Sequence, residues 1–137
     1  MSTPKPSIVF SSLDVQRIEA LLERMPPAEA ARYADLASEL ARAEVVAPAD
    51  MPPGVVTMNS TVRFEDEADG DIDTVTLVYP AQAGQPGTVS ILAPVGSALL
   101  GLTVGQHIEW PMPDGRHRRL RVLAIDYQPE ASGDLHR

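Results

Sequence analysis

The sequence predicts an α+β protein. A short antiparallel helical hairpin over residues 1–50 precedes an antiparallel β-sheet domain with one short helix over residues 51–137. Two observations carry this reading. Apolar residues recur at helical spacing up to about Val46, then alternate at strand spacing from Thr61 onward. Between the two patterns lies Ala47 to Gly54 (APADMPPG), a proline-rich stretch without periodicity that reads as a linker. The chain holds 13 prolines, about twice the average usage, and their placement divides it.

The first helix is expected over residues 11–25. Val15, Ile18, Leu22 and Met25 form one apolar stripe, which Leu21 broadens. Ser11 stands where an N-cap belongs, and Asp14 follows where both the capping pattern and the helix dipole favour a carboxylate. Pro26 and Pro27 stop this helix, and Pro27 can open the next one. The second helix is expected to run to about Val46. Tyr33, Leu36, Leu40 and Ala43 make its apolar stripe, with Arg32, Asp35, Glu39 and Arg42 on the other face. So short a connection makes the pair an antiparallel hairpin. With one narrow stripe each, the two helices are expected to pack on each other and on little else.

Beyond the linker, Thr61 to Phe64 and Asp73 to Tyr79 read as a β-hairpin closed by the acidic turn Glu65 to Asp71. Thr88 to Leu92 is a short strand. Val95, Ala98, Leu99 and Leu102 are spaced for a short buried helix. Gln106 to Pro111 and Arg118 to Tyr127 are two further strands joined at Pro113-Asp114-Gly115.

Composition excludes several function classes. The 137 residues carry 11 Lys+Arg against 19 Asp+Glu, a net charge of −8, and no Cys. Residues 1–50 hold five basic and eight acidic residues, and residues 51–137 hold six and eleven, so both parts are acidic. Without Cys there is no disulfide framework, no thiolate metal site and no Cys nucleophile. The negative charge opposes binding modes that neutralise phosphates with Lys and Arg. No apolar run approaches the roughly 20 residues of a membrane span. Met1 to Phe10 lacks the apolar core of a signal peptide. A cytoplasmic protein without membrane association is expected.

Individual motifs resolve mostly into bland readings. Six carboxylates lie between Glu65 and Asp73, and Asp69-x-Asp71-x-Asp73 opens like a calcium loop. Thr74 stands where that loop needs Gly and Pro80 where it needs Glu, so a solvated hairpin tip is the better reading. Gly96 to Thr103 has phosphate-loop spacing, but Leu102 replaces the required Lys. His107, His117 and His136 lack the spacing of a metal pair. No Ser stands in a nucleophile elbow. Arg116 to Arg121 form one basic cluster without interleaved aromatics, read first as a charge-protected edge strand and second as a nucleic-acid or protein contact. Glu23 and Glu29 flank Pro26-Pro27 at the hairpin tip. They could share a Mg²⁺ with another protein's ligands, though dipole compensation and solubility account for them more simply. No catalytic residue, metal site or cofactor is expected.

The segment Val89-Ser-Ile-Leu-Ala-Pro-Val-Gly-Ser-Ala-Leu-Leu-Gly101 resembles the signature of the C-terminal domain of the bacterial Gre transcript cleavage factors. Pro94, Gly96, Ala98, Leu99, Leu100 and Gly101 match it. Met51-Pro52, Val55 to Ser60, Leu77 to Pro80 and Tyr127 to Ala131 with Gly133-Asp134 are more similar to the Rnk branch, the regulators of nucleoside diphosphate kinase. The resemblance implies an FKBP-like domain behind the hairpin. It implies binding to RNA polymerase near the secondary channel, in competition with Gre factors and with only indirect contact to DNA. It places docking at the turn Leu92, Ala93, Pro94, Val95 and Gly96. Gre proteins carry Asp and Ser where this chain has Leu92 and Ala93, so the charged part of that contact is lost. The hairpin, with Glu23, Pro26, Pro27 and Glu29 at its tip, is too short by comparison for transcript cleavage. A direct effect on nucleoside diphosphate kinase through protein contact, and prolyl isomerisation argued from the fold alone, are the alternatives.

Overall fold

The computed structural model describes residues 6–134. Its N-terminal part holds strand β1 (Val9–Ser11), helix α1 (Ser12–Glu23), a single helical turn α2 (Pro27–Ala30), a 3₁₀ turn (Ala31–Tyr33), helix α3 (Ala34–Arg42) and strand β2 (Glu44–Val46). The remainder holds β3 (Thr61–Asp66), β4 (Ile72–Val78), β5 (Thr88–Ser90), α4 (Pro94–Leu99), β6 (His107–Pro111) and β7 (His117–Tyr127). The five later strands form one sheet in the order β5-β4-β3-β7-β6.

Ser11 caps α1 as its position suggests, its Oγ accepting the Asp14 N–H at 3.1 Å. The second helix departs from the expectation in two ways. It is interrupted by the 3₁₀ turn. The single turn Pro27–Ala30 buries no residue, and the tighter 3₁₀ geometry of Ala31–Tyr33 re-phases the chain before Leu36 turns inward. It also ends at Arg42 rather than Val46. Glu44 to Val46 instead pair in parallel with Val9 to Ser11, and the Glu44 N–H donates to the Ile8 carbonyl. The β-branched Val45 and Val46 suit an extended strand once a partner strand is present.

The helices pack onto the strands and α4 rather than chiefly on each other. Ile18 of α1 and Leu36 of α3 are fully buried in the same core as Val62, Leu77, Leu99 and Leu120 of the sheet domain. Ile8 and Phe10 enter it as well. Glu39, expected on the solvent face, is buried. Its carboxylate is held by the Arg42 guanidinium, which also donates to the Pro6 carbonyl at 2.6 Å. A buried carboxylate requires such a partner.

The sheet is mixed rather than antiparallel. β3 pairs antiparallel with β4 and β7, and β6 with β7, but β5 runs parallel to β4 with Thr76 opposite Thr88. The loop from Tyr79 to Gly87 carries the chain back past the end of β4 instead of reversing it, which sets the parallel direction. β7 is interior, so the edge-strand reading of its arginines fails. Two register shifts let it curl along β3. Alternation places Val62, Phe64, Ile108, Trp110, Leu120 and Val122 on the buried face, where Ala98 and Leu99 of α4 pack with them.

The basic cluster meets the acidic turn. Arg118 Nε donates to Asp66 Oδ2 at 2.7 Å, Arg119 Nε lies 3.8 Å from Glu67, and His107 Nδ1 lies 3.0 Å from the same carboxylate. Burial pushes the Asp66 carboxyl up, but the Ala68 N–H and the Arg118 guanidinium outweigh it and hold the group below the usual range. Asp66 and Glu67 of the acidic run thus pair with the strand that carries the basic cluster. His136 lies outside the described residues.

Asp14 ties α1 to the sheet domain. Its buried carboxylate accepts the Met58 N–H at 3.1 Å, and the Tyr79 hydroxyl lies 3.5 Å away. Desolvation raises its pKa from 3.8 to about 6, with Glu130 adding to the rise and Arg17 opposing it. Burial, with Asp14 beside it, likewise holds the Tyr79 phenol above its ordinary range. A carboxyl whose folded pKa is raised contributes stability that is full below the unfolded value of 3.8 and lost as pH rises through about 6. A rise of this size corresponds to about 3 kcal/mol. Asp14→Asn keeps the acceptor and removes the titration. Urea unfolding between pH 4 and 7 is therefore expected to show wild type losing stability relative to Asp14→Asn as pH rises. A constant difference across that range would refute the assignment.

Candidate functional site

The turn Leu92 to Gly96 joins β5 to α4. Ala93 is the N-cap residue with extended backbone, and Pro94 occupies the first helical position, where its missing N–H costs nothing. The Leu92 N–H donates to Ser90 Oγ at 3.0 Å and the Ala93 N–H to the Ser90 carbonyl at 3.0 Å. Ser97 Oγ donates back to the Ile91 carbonyl at 2.6 Å. These bonds close the turn on itself from both sides.

Gly96 is fixed by close approach rather than by backbone conformation. A Cβ at this position would lie 2.1 Å from the Ser90 carbonyl oxygen and 3.1 Å from Leu77 Cδ1. Only glycine lets α4 sit this near β5. Leu92, Ala93, Pro94 and Val95 are half-buried, while Gly96 is buried beneath them. The surface the turn offers is therefore apolar and firmly positioned, without a charged side chain of its own.

The turn is not isolated from the helical part. Leu92 and Pro94 line a groove of about 480 Å³ together with Tyr33, Leu36, Trp110 and Met112. The sequence reading missed Tyr33 and Trp110 as neighbours of the turn. Trp110 faces the buried side of β6 by alternation, a signal present in the sequence, but nothing local shows that Tyr33 comes to the same groove.

Glu23, Pro26, Pro27 and Glu29 are all exposed at the connection between α1 and α2. Glu23 ends α1, Pro26 is the extended residue before α2, and the Pro26 carbonyl accepts the Glu29 N–H at 3.0 Å. The two carboxylates come from opposite sides of this turn. The turn Leu92 to Gly96 shares its groove with Arg32 to Leu36 and with none of the tip residues. Among the described residues, no three His, Asp or Glu side chains are grouped to hold a metal.

Comparison with known proteins adds independent information. A family model for the C-terminal part of the transcription elongation factors GreA/GreB matches residues 51–127, and one for the Rnk N-terminus matches residues 6–46. The chain is 48% identical over 136 residues to the regulator of nucleoside diphosphate kinase of Escherichia coli (strain K12), covering 95% of this chain and 96% of that protein. It is 37% identical over 95 residues to transcription elongation factor GreA of Syntrophobacter fumaroxidans, covering 69% of this chain and 60% of that one. A solved structure described as a prokaryotic transcription elongation factor GreA/GreB from Nitrosomonas europaea superposes with a TM-score of 0.68 at 52% identity, covering 90% of this chain and all of that one.

Filling the space at Gly96 tests how the turn is built. Gly96→Ala pushes a methyl group into backbone and is expected to cost about 3 kcal/mol, in the upper range of overpacking, by denaturant unfolding. Loss of less than about 0.5 kcal/mol, the scatter of neutral substitutions, would show that α4 and β5 separate freely.

Proposed function

Since the chain belongs to the Rnk family of regulators of nucleoside diphosphate kinase, which shares its C-terminal domain with the GreA/GreB transcription elongation factors, we propose that it is a non-enzymatic transcription regulator that binds RNA polymerase. It docks near the secondary channel, through the turn Leu92 to Gly96 of an FKBP-like C-terminal domain, and competes there with Gre-type factors. The helical arm of residues 1–50 blocks or partly enters the channel without supporting transcript cleavage. The protein needs no cofactor, contacts DNA only indirectly and works in the cytoplasm.

One observation carries this reading. The signature segment is not spent on an internal site. Its glycine, serine and proline hold a half-exposed apolar turn in a fixed shape. A rigid apolar surface loses little conformational entropy on binding and suits a helix of a partner protein. Leu92 and Ala93, in place of the Asp and Ser of Gre factors, make the contact depend on burial rather than charge. The exposed carboxylates Glu23 and Glu29 stand on an arm whose first helix spans 12 residues, roughly 18 Å. That is a short reach for an arm, in keeping with obstruction rather than assisted chemistry.

The name of the Escherichia coli relative favours a second reading, control of a nucleoside diphosphate kinase by protein contact. The two separate by binding. Wild-type protein is expected to bind core RNA polymerase and to be displaced by a Gre factor. Leu92→Arg puts at the contact a charge opposite in sign to the Asp of Gre factors, and Pro94→Ala loosens the turn. Leu92→Arg is expected to weaken binding by about a hundredfold and Pro94→Ala by about tenfold, with thermal unfolding used to check that each variant is folded. Polymerase binding by both variants at wild-type strength would overturn the docking model. Kinase binding without polymerase binding would establish the second reading.

A further inference from the structure

The chain holds five methionines and no cysteine, so reversible two-electron chemistry at sulfur falls to its thioethers alone. The structure sorts them by access. Met51 and Met58 are buried, at 7% and 1% exposure. Met1 lies outside the described residues. Met25 is half-buried at the connection after α1 and does not line the groove at Leu92 and Pro94. Met112 is half-buried too, but it lines that groove, together with Tyr33, Leu36 and Trp110.

Met112 is held where it stands. It follows β6 at the start of the turn to β7. Its N–H donates to the Arg116 carbonyl at 2.8 Å, and its carbonyl accepts the Gly115 N–H at 3.0 Å. Pro111 and Pro113 on either side restrict the backbone further. A change at the sulfur therefore stays at the groove rather than being relieved by the chain swinging away. The groove's only buried hydroxyl among its lining residues, Ser97 Oγ, already donates to the Ile91 carbonyl at 2.6 Å, and Arg32 and Asp35 are exposed.

We propose that Met112 is an oxidation switch for docking. Conversion of its thioether to the sulfoxide by a peroxide closes the turn Leu92 to Gly96 to its partner, and reduction by a thiol-dependent sulfoxide reductase opens it again. This rests on the docking reading given above. In the forward step the sulfur lone pair attacks one oxygen of hydrogen peroxide, an S–O bond forms and the O–O bond breaks. Sulfur loses two electrons, and the other oxygen leaves as water. In the return step two thiols are oxidised to a disulfide and the sulfoxide oxygen leaves as water.

The cost falls on the complex. In the free protein the sulfoxide oxygen keeps water as its partner, so the fold is undisturbed. A partner seated on the groove strips that water, and an apolar contact supplies no donor in exchange. Because the contact depends on burial rather than charge, one strong dipole in the groove is enough to weaken it.

The test uses the full-length protein, treated with graded hydrogen peroxide and freed of oxidant before it meets core RNA polymerase. Peptide mass spectrometry reads which methionines have gained oxygen. Met112 and Met25 are expected to react while Met51 and Met58 stay reduced, with thermal unfolding unchanged. Met25→Leu removes the second reactive site. Oxidation of this variant is expected to weaken polymerase binding about tenfold, and treatment with sulfoxide reductases for both epimers to restore it. Met112→Leu, close in volume and without sulfur, is expected to bind as wild type does before and after treatment. Three results would each overturn the switch and leave the docking reading standing: Met112 staying reduced in the folded protein, binding unchanged once it is oxidised, or an equal loss in oxidised Met112→Leu. No binding by the untreated protein overturns the docking reading itself, and the switch with it.

Discussion

Phe10 lies against Gly101 at a distance that leaves no room for another side chain. A Cβ on Gly101 would stand 2.5 Å from the Phe10 ring and 3.0 Å from Ile8, and the glycine holds a φ of +83 that other residues resist. The Val9 N–H donates to the Gly101 carbonyl, and the Gly101 N–H donates to the Val56 carbonyl. Three distant stretches meet at this one residue. The N-terminal segment is thereby seated on the end of the signature helix. β1 can then receive β2, and α1 and α3, which lie between these two strands in sequence, are drawn onto the common core. Burying Ile18 and Leu36 there contributes on the order of 2 kcal/mol each. The Asp14 carboxylate at the Met58 N–H adds a polar tie between the same two parts.

The same closeness explains the form of the signature segment. Gly96 and Gly101 both sit where backbone or a ring comes nearer than a Cβ allows, one against Ser90 and one against Phe10. The segment is glycine-bearing because α4 is clamped on two sides, and it has none of the exposed amides a phosphate loop would need. Its clamped geometry presents Leu92 and Pro94 to a groove whose other wall, Tyr33 and Leu36, belongs to the helical arm. Arm and turn are therefore parts of one surface.

Charge is organised by the sheet rather than by the sequence runs. Asp66 and Glu67 look like part of an isolated acidic loop, and Arg118 and Arg119 like part of an isolated basic patch. Antiparallel pairing of β3 with β7 places them together. Arg63, on the outer face of β3, likewise lies 3.4 Å from Asp126.

Local chemistry was legible in the residues. Ser11 and Asp14 announce the start of α1, Pro26 and Pro27 its end, and alternation marks β3, β4, β6 and β7, because caps, prolines and period-two burial act over a few residues. The family signature was legible too, since it is a string of adjacent residues. What depends on distant partners was not. Val45 and Val46 read as the tail of a helix until Val9 to Ser11 supply a strand beside them. β5 reads as antiparallel by default, and only the path of the Tyr79–Gly87 loop sets it parallel. Glu39 reads as solvent-facing until Arg42 accompanies it inward. Interactions between near neighbours along the chain thus suffice for most of the elements and for the turn at Pro94. That the arm shares the core of the sheet follows only from three-dimensional packing. It rests on Phe10 meeting Gly101, a contact between residues some 90 positions apart whose energy no local pattern encodes.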